Sequence, residues 1–93
     1  MIHMEEQHRN IVRTILSKYP YTFYAFGSRV RGAQRKLSDL DLCYKDDIPD
    51  SLIAHLEGDF SDSDLPFKVD IVRWDRCSPE FQEAIKGELE PLL

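Results

Sequence analysis

The chain is 93 residues long, 42% hydrophobic and 31% charged, with a formal net charge of −5. That balance excludes an intrinsically disordered chain and allows one domain over residues 1–93, with no room for a second, substrate-binding domain. The charge is divided, since residues 1–38 carry seven Lys and Arg against two Glu while residues 39–93 carry five against fifteen Asp and Glu, and the acidic remainder argues against direct binding of DNA or RNA. Two cysteines, Cys43 and Cys77, fit no C-x-x-C or zinc spacing. With no apolar run long enough for a signal peptide or a membrane span, these features predict a reduced, cytoplasmic protein.

Met4 to Tyr19 predicts an amphipathic helix with Ile11, Val12, Ile15, Leu16 and Tyr19 on one stripe, stopped by Pro20. His3 and His8 have no metal-like partners at useful spacing and read as surface or helix-start residues. Tyr21 to Phe26 is aromatic and nearly continuously apolar, which suits a buried central strand. Gly27-Ser28 then turns the chain. Gly27 permits close backbone approach to a ligand, and Ser28 offers a hydroxyl and an amide, both suited to phosphate oxygens. Ser28 to Gly32 reads as one helical turn; a purely local alternative makes Ser28 an ordinary N-cap and Gly32 its stop. Arg29, Arg31, Arg35 and Lys36 cluster in the same stretch, where they would attract a polyphosphate or form a solvated loop.

Asp39-Leu40-Asp41-Leu42-Cys43-Tyr44 follows, with ten residues between Ser28 and its first carboxylate. As a strand it places Asp39 and Asp41 on one face roughly 6–7 Å apart and sends Leu40, Leu42 and Tyr44 into a core. Two such carboxylates repel unless a cation sits between them, and oxygen-only ligands suit Mg²⁺, with Mn²⁺ as the alternative, rather than zinc. After a polar turn, Asp50 or Ser51 opens a short helix that ends near Gly58, and Asp59 to Asp64 reads as a solvated acidic loop. Pro66 opens a third strand, Phe67 to Val72, which carries Asp70; beside the Asp39–Tyr44 strand it brings a third carboxylate to the pair. Lys68 is read as an ion-pair partner and Trp74 as packing at a strand end. Ser78-Pro79-Glu80 begins a last helix with Phe81, Ala84, Ile85 and Leu89 on its stripe. Three acids on adjacent strands beside a Gly-Ser turn are what a two-metal phosphoryl or nucleotidyl transfer requires.

Gly27-Ser28-Arg29-Val30-Arg31-Gly32, Ser38-Asp39-Leu40-Asp41-Leu42 and Val69-Asp70-Ile71-Val72 together resemble the minimal nucleotidyltransferases of the DNA polymerase β-like superfamily, over a stretch from about Tyr21 to Trp74. The resemblance implies an α/β (α+β) fold, a small mixed β-sheet flanked by helices in the palm-like arrangement. It implies that Gly27 and Ser28 bind a nucleoside triphosphate, helped by Arg29 or Arg31, that Asp39 and Asp41 hold two Mg²⁺, and that Asp70 completes the metal site and helps ionise the acceptor hydroxyl. It further implies ATP as substrate and a HEPN-domain ribonuclease toxin as partner, silenced by AMP transfer to a tyrosine. A catalytically silent module that neutralises its partner by binding, or transfer to a small molecule, are the alternatives; the intact acid triad counts against the first and the lack of an acceptor-positioning domain against the second.

Overall fold

The computed structural model describes residues 2–92. Its first helix, α1, spans Glu6–Leu16 and buries Val12, Ile15 and Leu16, the i, i+3, i+4 positions of the apolar stripe. It is shorter than the predicted Met4–Tyr19. The N–H groups of Lys18 and Tyr19 bond only three residues back, to Ile15 and Leu16 carbonyls at 3.2 and 3.0 Å, so the last turn tightens before Pro20.

There follow β1 (Phe23–Phe26), α2 (Ser28–Arg31), β2 (Leu40–Tyr44), α3 (Asp50–Ser61), β3 (Val69–Arg73), α4 (Pro79–Ile85) and β4 (Glu90–Leu92), with 3-10 turns at Trp74–Arg76 and Lys86–Glu88. The strands form one mixed sheet in the order β3-β2-β1-β4. β1 is antiparallel to both β2 and β4, whereas β2 and β3 are parallel, the crossover between them being α3.

The alternation of side chains sorts the sheet into two faces. Phe23, Ala25, Leu40, Leu42 and Tyr44 enter the main core with Val12, Ile15 and Leu16 of α1 and Ile53, Leu56 and Phe60 of α3. The opposite face carries a smaller cluster, Phe26, Cys43 and Ile85, with Tyr24, Val72, Trp74 and Leu89 packed against it. Trp74 therefore packs at the strand end as its position suggests, with the Lys45 ammonium 5.0 Å from its ring.

Three boundaries differ from the sequence expectation. β2 begins at Leu40, whose N–H takes the Lys68 carbonyl at 2.9 Å, so Asp39 precedes the strand instead of opening it. α3 continues past Gly58 to Ser61 because Phe60 anchors its final turn in the core, making Asp59 helical rather than part of a loop. The last helix ends at Ile85, and the chain returns as the edge strand β4; its Pro91 is compatible with an edge position only. The start of that helix is as anticipated, with the Ser78 hydroxyl accepting from the Phe81 N–H at 3.2 Å and Pro79 in its first turn.

Candidate active site

The sheet order makes the site. Gly27 ends β1 at the level where Asp41 begins to pair, since Phe26 lies opposite Asp41, and Asp41 in turn lies opposite Asp70. In a parallel ladder such partners share a face on strands about 4.8 Å apart, which brings two carboxylates together beneath the Gly27 turn.

Gly27 is held at φ 86°, and a Cβ there would stand 2.6 Å from Asp41 Oδ2. No side chain fits between that backbone and the carboxylate, and the positive φ disfavours any L-residue besides. The Gly27 carbonyl accepts from the N–H groups of Val30 and Arg31, both at 3.1 Å, which winds α2 immediately; Gly32, at φ 76°, unwinds it. Ser28 is the first residue of α2, half-exposed beside the turn.

Asp41 is half-buried, and its carboxyl is held above its ordinary value, first by burial and then by the charges of Asp70 and Asp39, with Arg31 opposing. Asp70 pairs with Lys68 Nζ at 3.2 Å, the ion pair read from the sequence. Asp39 is exposed just ahead of β2. Among the described residues no three acidic, histidine or cysteine side chains are gathered tightly enough to hold a metal ion. Asp70 is engaged by Lys68, and Asp39 precedes β2, outside the ladder that sets Asp41 opposite Asp70.

The two arginines part company. Arg29 is 3% exposed. Its guanidinium donates to the carbonyls of Ser38, at 2.8 and 3.0 Å, of His3 at 3.0 Å and of Lys36 at 3.4 Å, and stacks 4.1 Å above the Phe67 ring. A phosphate-binding role for Arg29 is thereby corrected: its donors tie the 32–38 loop and the N-terminal segment to α2. Burial lowers its pKa, opposed by the charge of Asp39. Arg31 remains on the surface and reaches Glu88, whose Oε2 lies 3.0 Å from Arg31 Nη1 and 2.6 Å from the Gly27 nitrogen.

Glu88 was not legible as a site residue. It lies in no motif and is delivered by the 3-10 turn between α4 and β4; Gly87, which breaks the helical pattern one residue earlier, is the one local sign. A carboxylate thus occupies the anion-facing amide of the Gly-Ser turn. His8 is also less peripheral than its sequence position suggests, with its side chain 15% exposed and its ring set edge-on against Phe67, centroids 5.5 Å apart.

The family described as polymerase beta nucleotidyltransferase matches residues 10–93. Over 80 residues, 82% of this chain and 70% of the relative, the sequence is 45% identical to a probable protein adenylyltransferase, MntA, of Haemophilus influenzae. The fold is similar to a crystal structure of a toxin-antitoxin with AMP-PNP, at a TM-score of 0.68 and 22% identity over 91% of this chain and 72% of that one. It is likewise similar to a mutant toxin-antitoxin MntA-HpeT, at a TM-score of 0.64 and 20% identity over 98% of this chain and 73% of that one. With a family match over nearly its whole length and a close relative of the same small size class, the chain belongs to the polymerase beta nucleotidyltransferase family, as a minimal nucleotidyltransferase.

Proposed function

We propose that the chain transfers AMP from ATP to a tyrosine hydroxyl of a HEPN-domain toxin and thereby acts as its antitoxin in the cytoplasm. The observation that carries this reading is the in-register pair Asp41–Asp70 beneath the Gly27 turn. The adenylyltransferase named as a relative and the toxin-antitoxin folds support the choice of nucleotide and of partner.

The residues suit a divalent cation. All the candidate donors are carboxylate oxygens, and the charges of Asp70 and Asp39 add to burial in raising the proton affinity of Asp41. Asp39, Asp41 and Asp70 would hold two Mg²⁺, or Mn²⁺ in their place, which supply charge neutralisation for the triphosphate and the transferring phosphoryl group. For this, Asp70 releases Lys68. The Gly27 amide and the Ser28 hydroxyl, with Arg31, hold the pyrophosphate portion of ATP once Glu88 yields its place. The acceptor oxygen attacks the α-phosphorus, the bond to the pyrophosphate oxygen breaks, and Asp70 takes the hydroxyl proton directly or assists its ionisation.

Intact mass spectrometry of a co-purified partner, incubated with this protein, ATP and Mg²⁺, tests the proposal. A gain of one or more AMP units, absent with the Asp39→Ala/Asp41→Ala variant, is the expected result. A stable complex without mass gain would replace it by neutralisation through binding alone.

A further inference from the structure

A cavity of about 410 Å³ lies between the N-terminal segment and the 32–38 loop, and none of the carboxylates of the candidate site, nor Gly27 or Ser28, lines it. Its walls carry Arg9, Arg29, Arg35, Lys36 and the imidazoles of His3 and His8, against one acid, Glu5. In a chain of net charge −5 this is a concentrated positive surface. The size matches pockets that enclose small ligands.

Its walls are fixed. The Arg9 Nη2 donates to the Ile2 carbonyl at 2.7 Å, and the His3 N–H donates to the Arg29 carbonyl at 2.7 Å. The His3 ring lies against Gly32, where a Cβ would meet Nε2 at 3.3 Å. Among the described residues, two buried side-chain polar atoms lack a hydrogen-bond partner, Arg9 Nε and Gln34 Oε1, and both residues line this cavity. Buried polar atoms are nearly always paired, and both exceptions fall on side chains beside this cationic cavity.

We propose that this cavity is a second anion site, separate from the carboxylate site, for a phosphate-bearing ligand of nucleotide size. Phosphoryl oxygens accept from Arg35 and Lys36, the exposed cations of the cavity wall. The assignment stands whether or not the chain transfers AMP, because it uses neither the carboxylates nor the Gly-Ser turn. Occupancy would nevertheless be felt there, since Arg29 joins the cavity wall to Ser38, the residue before Asp39.

The test is proton NMR of the full chain with chelator present, titrated separately with inorganic pyrophosphate and with AMP. The chain has three histidines, so the ring protons of His3 and His8 report on the cavity while those of His55, on α3, serve as an internal control. Saturable shifts at His3 and His8, not His55, are expected, with affinity weakened about tenfold in Arg35→Gln/Lys36→Gln and retained in Arg31→Gln. Tighter binding of AMP than of pyrophosphate is expected for a ligand of nucleotide size; equal or weaker binding would overturn that part of the proposal and leave a site for the phosphoryl group alone. Shifts that do not saturate with either probe, that survive the Arg35→Gln/Lys36→Gln change intact, or that vanish in Arg31→Gln would overturn the proposal.

Discussion

Replacing Glu88 by Gln should tighten ATP binding, because the carboxylate stands where the pyrophosphate portion of the nucleotide must lie. Its Oε2 accepts from the Gly27 N–H at 2.6 Å, and both oxygens accept from Arg31 Nη1 at 3.1 and 3.0 Å. A hydrogen bond from an amide to a charged acceptor contributes about 1.5–3 kcal/mol, and a neutral amide oxygen in the same place keeps roughly half of that. The Arg31 side chain is 56% exposed, so its ion pair adds no more than about 1 kcal/mol. The substitution therefore releases about 1–2 kcal/mol of competition, or roughly a 5–30-fold tighter dissociation constant. Calorimetric titration with a non-hydrolysable ATP analogue and Mg²⁺ reads this directly, and Glu88→Ala, which removes the acceptor altogether, should go further in the same direction. Unchanged or weaker binding in both variants would refute the reasoning and make Glu88 a support of the turn rather than a competitor for it.

Asp41→Asn should abolish AMP transfer yet raise the melting temperature of the metal-free protein, since it removes a half-buried charge beside Asp70 and Asp39; a lower Tm in chelator would contradict the repulsion inferred there. Gly27→Ala combines a positive φ with a Cβ 2.6 Å from Asp41 Oδ2 and should cost about 2–3 kcal/mol, seen as a Tm lower by roughly 10–20 °C. The Tyr19 hydroxyl donates to Asp59 at 2.6 Å and lies 2.8 Å from His55 Nδ1; burial, then Asp59, pushes its pKa from 10.0 up to about 12. The folded state then holds this proton more tightly than the unfolded state. Its contribution is whole below pH 10 and is lost as the pH rises through about 12, so denaturant midpoints should fall across that window less steeply in Tyr19→Phe.

The strands bearing Asp41 and Asp70 were readable because alternation is a local signal. Leu40, Leu42 and Tyr44 could only be buried on one face if Asp41 lay on the other, and the short apolar run around Val69 and Ile71 demanded a neighbour. Asp39 was misplaced by one residue because pairing, not composition, decides where a ladder begins, and the first bond comes from Leu40. The fate of Arg29 depended on Phe67 and on carbonyls of a loop and an N-terminal segment, which no spacing announces. β4 is three residues long and contains a proline, so it carries no period at all, and Glu88 went unseen with it. Helix continuity past Gly58 was set by Phe60 reaching the core, a tertiary term that outweighs the roughly 1 kcal/mol propensity penalty of one glycine.

Pro91 gives the sheet a defined limit at its β4 edge. It pairs with Tyr24 on the inner side of β4 and has no N–H to present on the outer side. A fifth strand arriving from another molecule would meet a missing donor in the middle of a three-residue segment, too short to compensate for it. Edge-to-edge growth of the sheet is thus discouraged on the β4 side by a single residue, whereas β3, the opposite edge, carries no proline and leaves strand addition to be limited there by its charged Asp70 and Arg73.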